Sequence, residues 1–219
     1  MKKNIITILE RFKSHNPNPQ IELYFTNHFT LLVAIILSAR MTDKGVNKVT
    51  TILFNKIHTP QDILDMGIDG LSYQLKTIGL YKTKAKHIME LSRILVQNYG
   101  GQTPLNYAEL IHLPGVGNKS ANVFLNVTCN ADTMPVDTHV FRVSHRLNLS
   151  NGKTPDAVAK DLRKIIPKKY FPMAPHWFVL HGRYICKSRK PLCDKCFLTD
   201  LCPYYQKTIL PQMKEKQSF

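Results

Sequence analysis

The sequence predicts an all-α protein. Three observations carry that expectation: apolar residues recur at helical spacing, threonines stand before prolines where helices would begin, and no stretch alternates with period two. Ile5, Ile6, Ile8 and Leu9, set among Lys2, Lys3, Glu10, Arg11 and Lys13, read as an amphipathic N-terminal helix. The charges interrupt the apolar run too early for a secretion signal. Thr30 to Ala39 is apolar all round, as a fully buried helix would be. Val46, Val49 and Leu53 fall at i, i+3 and i+7, with Thr42 placed as an N-cap. Thr59-Pro60, Thr103-Pro104 and Thr154-Pro155 each set a capping residue before a proline at the first helical position. Further helix faces are marked by Ile88, Leu91 and Leu95, by Val140, Val143 and Leu147, and by Val158, Leu162 and Ile165. Gly100-Gly101 is a loop, and no repeat or low-complexity tract interrupts the pattern.

Charge narrows the function. The 219 residues include 30 Lys and Arg against 15 Asp and Glu, a net charge of +15 and a pI near 9.7. A protein this basic repels itself unless a polyanion or an acidic surface neutralises it, which points to DNA, RNA or an acidic membrane face. A membrane span is excluded: the longest apolar run, Leu31 to Leu37, is far short of the ~20 residues needed. The cytoplasm is the expected compartment.

Three motifs carry chemistry. In the first, Leu113-Pro114-Gly115-Val116-Gly117-Asn118-Lys119-Ser120-Ala121, Tyr107 to Leu113 has helical potential before the glycines and Ser120 to Val127 after them. Gly115 and Gly117 allow a tight hairpin and leave backbone N–H groups uncovered at the start of the second helix. Those groups and the helix dipole favour an anion, and a nucleic-acid phosphate fits there without sequence preference. Lys119 lies in the first turn of that helix, where a cation is disfavoured. Partial burial and the positive helix end would both favour its neutral amine. A neutral amine is what Schiff-base catalysis requires, while a phosphate contact is the plainer role.

The second motif is Pro135-Val136-Asp137-Thr138-His139-Val140-Phe141-Arg142-Val143, where Asp137 opens an amphipathic helix. It reads as an N-cap, or as a carboxylate that stabilises positive charge at a sugar C1′ or accepts a proton. One helix and a return loop fit between Lys119 and Asp137, so the two could meet.

The third motif is Cys186, Cys193, Cys196 and Cys202, crowded into one loop-like segment, whereas Cys129 stands apart and reads as a small core residue. Four such cysteines indicate a metal site rather than disulfides, and the alternatives are zinc and an iron–sulfur cluster. Only the middle pair is closely spaced, which disfavours zinc. From Arg163 to Cys193 there is no Asp or Glu, against eight Lys and Arg. That stripe is either a phosphate-contacting surface or a solvated basic face.

The hairpin LPGVGNKSANV, the VDTHVFRV segment and the four-cysteine spacing, in this order, resemble the endonuclease III family of helix-hairpin-helix DNA glycosylases. Leu37-Ser38-Ala39 with Thr42-Asp43, Ile78-Gly79-Leu80-Tyr81 and His181-Gly182-Arg183-Tyr184 extend the match from about Asn16 to about Pro203. The resemblance implies two all-α lobes flanking a DNA-binding cleft. A six-helix barrel lobe would span 21–132, with the helix-hairpin-helix at about 107–127. A cluster lobe would combine 1–20 with 133–219, its cluster loop at 186–202. Cys186, Cys193, Cys196 and Cys202 would hold a [4Fe-4S] cluster.

The implied activity is base-excision repair: an N-glycosylase for oxidised pyrimidines that is also an AP lyase, cutting 3′ to the abasic site by β-elimination. Lys119 matches the nucleophile and Asp137 the assisting carboxylate. Gly115 and Gly117 of the hairpin, with Lys187, Arg189 and Lys190 of the cluster loop, would meet phosphates. Leu80 would be an apolar wedge in the duplex. Arg40 stands where the family often has a glutamine that fills the gap left by the flipped base, so opposite-base preference does not transfer. Asn118 stands where relatives commonly carry a basic residue, so one phosphate contact is expected to be weaker. The expected partner is double-stranded DNA with oxidised pyrimidines or abasic sites, met by a monomer on the nucleoid. Lys119, with no long further C-terminal segment, argues against a monofunctional adenine-removing relative. Its pairing with Asp137 argues against a non-enzymatic DNA-binding module.

Overall fold

The computed structural model describes residues 2–212. Among these, ten α-helices form and no strand: α1 (Lys2–His15), α2 (His28–Ser38), α3 (Asp43–Leu53), α4 (Pro60–Gln74), α5 (Tyr81–Tyr99), α6 (Tyr107–Leu110), α7 (Asn118–Cys129), α8 (Thr138–Arg146), α9 (Pro155–Ile165) and α10 (Ala174–Tyr184). None is long and apolar enough to cross a membrane. The chain divides into two compact units, 21–131 and 1–20 with 132–219.

The unit 21–131 is built around α2. Its residues from Phe29 to Leu37 are all buried, so the helix has no solvent face, and α3, α5 and α7 pack against it. Asn27 starts it: the side chain accepts from Thr30 N–H while the Thr30 hydroxyl accepts from Asn27 N–H, a reciprocal cap. Thr42 caps α3 and Thr59 caps α4 as expected. Thr103-Pro104 does not open a helix. Asn106 takes the cap two residues after Pro104 by accepting from Glu109 N–H at 2.9 Å, which leaves α6 a single turn where the sequence suggested a helix to Leu113.

The unit 1–20 with 132–219 packs α1, α8, α9 and α10 around Phe12, Tyr170, Trp177 and Phe178. Phe12 stacks on Trp177, and the indole N–H of Trp177 donates to Asn16 O at 2.7 Å. α8 and α10 approach closely at Gly182, where a Cβ would lie 2.8 Å from His139 Cβ. Arg11 reaches the cysteine segment through Phe197 O and the Asp200 carboxylate. Val140, Val143, Leu147, Val158 and Leu162 all face this core.

Candidate active site and cluster loop

The hairpin joins α6 to α7. Val116 N–H closes the turn onto Leu113 O at 3.1 Å. Gly115 is required twice over: its φ is +79°, and a Cβ would press on His87 at 3.1 Å. Gly117 is different. Its φ of −95° suits any residue, and a Cβ there would meet nothing within 4 Å. Packing gives no reason for glycine at the N-cap of α7. Glycine here leaves the first-turn N–H groups of α7 without a side-chain cap and the approach to them open.

Lys119 projects from that same first turn and is exposed. The partial burial expected for it is absent, because the turn faces outward; its place in the first turn of α7 is as expected. Beside it, Tyr107 OH donates to Asn118 Oδ1 at 2.9 Å, joining α6 to α7 across the hairpin. Cys129 is also exposed rather than in the core. It ends α7, with Asn130 turning the chain in the left-handed conformation immediately after.

Two other turns of this unit stand out. Arg40 follows α2 with φ 59°, and Leu80 precedes α5 with φ 60°. Both side chains are exposed, Leu80 to 61%. The left-handed region is disfavoured for such residues and persists where surrounding structure holds it. Gly79 N–H donates to Met41 Sδ at 3.4 Å, so the two turns touch.

In the other unit, Asp137 is the N-cap of α8 and is half-buried. Its Oδ1 accepts from His139 N–H and Val140 N–H, each at 2.8 Å. The far end of the helix is anchored to the cysteine segment. Arg142 Nε donates to Cys186 O at 2.8 Å and Arg142 NH2 to Gly182 O at 2.7 Å. Arg146 donates to Cys186 Sγ at 3.3 Å, to Lys187 O at 2.7 Å and to Ser188 O at 3.0 Å, while lying over the Tyr204 ring. These two arginines were not singled out in the sequence. Their i, i+4 spacing, which puts both on one helix face, was the available signal.

Cys186, Cys193, Cys196 and Cys202 line one cavity, and none is in a disulfide. Among the described residues no three His, Cys, Asp or Glu side chains converge closely enough to hold one metal ion. Four thiols around a shared space suit a metal centre held by cysteines. The donors fit as well: Tyr205 N–H points at Cys202 Sγ at 3.5 Å and Arg146 at Cys186, as thiolate ligands require. Burial pushes the Cys196 thiol up to about 11 and raises those of Cys193 and Cys202, so ligation releases protons. Lys187, Arg189 and Lys190 are exposed on the loop between the first two cysteines, Lys190 with φ 49°.

Residues 33–168 match the HhH-GPD superfamily of base-excision DNA repair proteins, and residues 186–202 match the iron–sulfur binding domain of endonuclease III. Endonuclease III of Rickettsia felis is 50% identical over 203 residues, covering 93% of this chain and 95% of that protein. The chain belongs to the endonuclease III family. Endonuclease III of Escherichia coli is 43% identical over 206 residues, 94% of this chain and 98% of its own. The structure of a trapped endonuclease III–DNA covalent intermediate superposes with a TM-score of 0.89 at 40% identity, covering 95% of this chain and 99% of that one. A thermostable thymine-DNA glycosylase superposes at 0.81 with 25% identity. The chain is therefore an enzyme of base-excision repair, a DNA glycosylase and AP lyase of this family, and its segment 186–202 is an iron–sulfur-binding domain.

Proposed function

We propose that Lys119 is the nucleophile, that Asp137 assists it, and that the substrate is double-stranded DNA bearing an oxidised pyrimidine or an abasic site. The carrying observation is the first turn of α7, where Lys119 projects beside backbone N–H groups that Gly117 leaves open. A phosphate held by those groups places the neighbouring sugar within reach of the amine. The damaged nucleotide leaves the stack, a cost of a few kcal/mol that is least where stacking is already damaged. Leu80 enters the duplex as a wedge and Arg40 fills the vacated space.

The Lys119 amine attacks C1′ as the C1′–N bond breaks; the bonding pair leaves with the base, which takes up a proton. Asp137 stabilises the positive charge that develops at C1′ and accepts the proton lost by the amine. The C1′–O4′ bond then breaks, O4′ takes up the proton held by Asp137, and the opened sugar is left as a protonated imine on Lys119. That imine acidifies the C2′ proton; its removal breaks the 3′ C–O bond, with the phosphate as leaving group, and water then hydrolyses the imine. That a relative of this chain has been trapped as a covalent DNA intermediate supports this reading.

Cys186, Cys193, Cys196 and Cys202 are the ligands of a [4Fe-4S] cluster. A bound cluster would fix the loop that carries Lys187, Arg189 and Lys190, whose charges meet phosphates. The test is Lys119→Gln on a duplex with a single thymine glycol. Strand cleavage should vanish while affinity for the duplex persists, since holding is spread over many phosphates. Cleavage at the wild-type rate in this variant would remove Lys119 from the role.

A further inference from the structure

We propose that Lys84 is a positioning residue, which fastens the turn of Arg40 to the turn of Leu80 so that both enter the duplex as one fixed pair. The inference rests on the insertion roles proposed for those two residues. Lys84 lies in the first turn of α5, just after Leu80, and is 5% exposed. Its ammonium donates to Leu37 O at 2.8 Å and to Ala39 O at 2.7 Å. Those carbonyls end α2, and Arg40 follows immediately. α2 has no basic residue in its own last turn, so Lys84 supplies the cation that the negative helix end favours. On its other side, Lys84 N–H bonds to Leu80 O at 3.0 Å. One residue thus grips the backbone on both sides of the paired turns, and the Gly79–Met41 bond is a second tie between them.

The placement is costly in itself. Lys84 occupies a buried position beside Ala85 and Ile88, where an aliphatic side chain would pack without burying a charge. Burial also pushes its ammonium pKa down. The two turns each hold a bulky residue in the left-handed region, which such residues disfavour. Left untied, such turns relax. Lys84 holds both against relaxation, and so sets the spacing of the wedge and the plug.

A duplex with an abasic site flanked by 2-aminopurine tests this, because the probe's fluorescence responds when the gap is filled. Lys84→Met keeps the unbranched stem and removes the terminal donor. It should lose most of the fluorescence response and slow single-turnover excision by roughly 10- to 100-fold, the range for a misplaced positioning group. Affinity for undamaged duplex should stay within about twofold, being spread over many phosphates. Leu91→Ala, in the buried face of the same helix, weakens folding without touching either turn and should keep the response per folded molecule. Lys84→Gln, whose donor falls one atom short, should act in the same direction and serves if Lys84→Met does not fold. Equal effects of Lys84→Met and Leu91→Ala would overturn the proposal. If Arg40→Ala and Leu80→Ala abolish the response while Lys84→Met keeps it, the positioning role alone fails. If those two also keep it, the insertion roles fail and the positioning role with them.

Discussion

Asp137 has two jobs that a pair of substitutions separates. As a cap, its Oδ1 takes two N–H groups of the first turn of α8 at 2.8 Å. Removing such a cap costs about 1 kcal/mol, up to about 2. In a chain of this size that lowers the melting midpoint by about 2–4 °C per kcal/mol. Asparagine retains an Oδ1 in the same position and caps as well as aspartate. Asp137→Asn should therefore melt with the wild type and keep its iron, since α8 remains pinned to Cys186 by Arg142 and Arg146. Without the carboxylate, single-turnover excision should fall by about 10²- to 10⁴-fold, the usual worth of a positioned acid–base group. Asp137→Ala should lose both the cap and the rate. The measurements are calorimetric midpoints and single-turnover excision of thymine glycol at saturating enzyme. A catalytic role for the carboxylate is refuted if Asp137→Asn melts as low as Asp137→Ala and its rate falls only with the folded fraction. The carboxylate would then be a cap alone.

Three more outcomes are expected. Arg40→Gly should raise the melting midpoint, since φ 59° costs arginine about 1 kcal/mol that glycine escapes, and should lower excision more than it lowers binding to intact duplex; a lower midpoint with unchanged activity would contradict it. Purified protein should contain about four iron and four sulfide per chain, a content that Cys129→Ser leaves alone and Cys196→Ser removes; stoichiometric zinc in protein prepared without air would count against the cluster. Burial depresses the Lys84 ammonium, so the unfolded chain binds the extra proton between the depressed folded value and the ordinary lysine value near about 10.4. Stability to urea should therefore rise with pH through that window, and the rise should vanish in Lys84→Met; an identical rise in the variant would place its origin elsewhere.

What the sequence made legible was local. Thr42, Thr59 and Thr154 cap helices because the hydroxyl needs only the next three residues. Thr103 fails by the same logic, since Asn106 competes for the chain that follows. α2 was evident because a helix apolar on every side has only one place to go. The cysteine segment was equally plain, although spacing alone left zinc open, and the shared cavity is a property of the folded loop. Burial was the weak point: an apolar run suggested a core Cys129, and the helix start suggested a half-buried Lys119, yet both face outward. Lys84 and Arg146 escaped notice because their acceptors are backbone carbonyls and a sulfur 40 or more residues away in the chain. Lys84 did leave a trace, as a charge on the buried face shared with Ile88 and Leu91.

The central claim is that Lys119 forms a covalent imine with the damaged strand. Borohydride reduction during reaction with a duplex carrying one abasic site converts that imine into a stable bond. The wild-type protein should become joined to the DNA, with the modified peptide mapping to Lys119, and Lys119→Gln should bind the same duplex without becoming joined. A cross-link of equal yield in Lys119→Gln, or none in the wild type, would contradict the account.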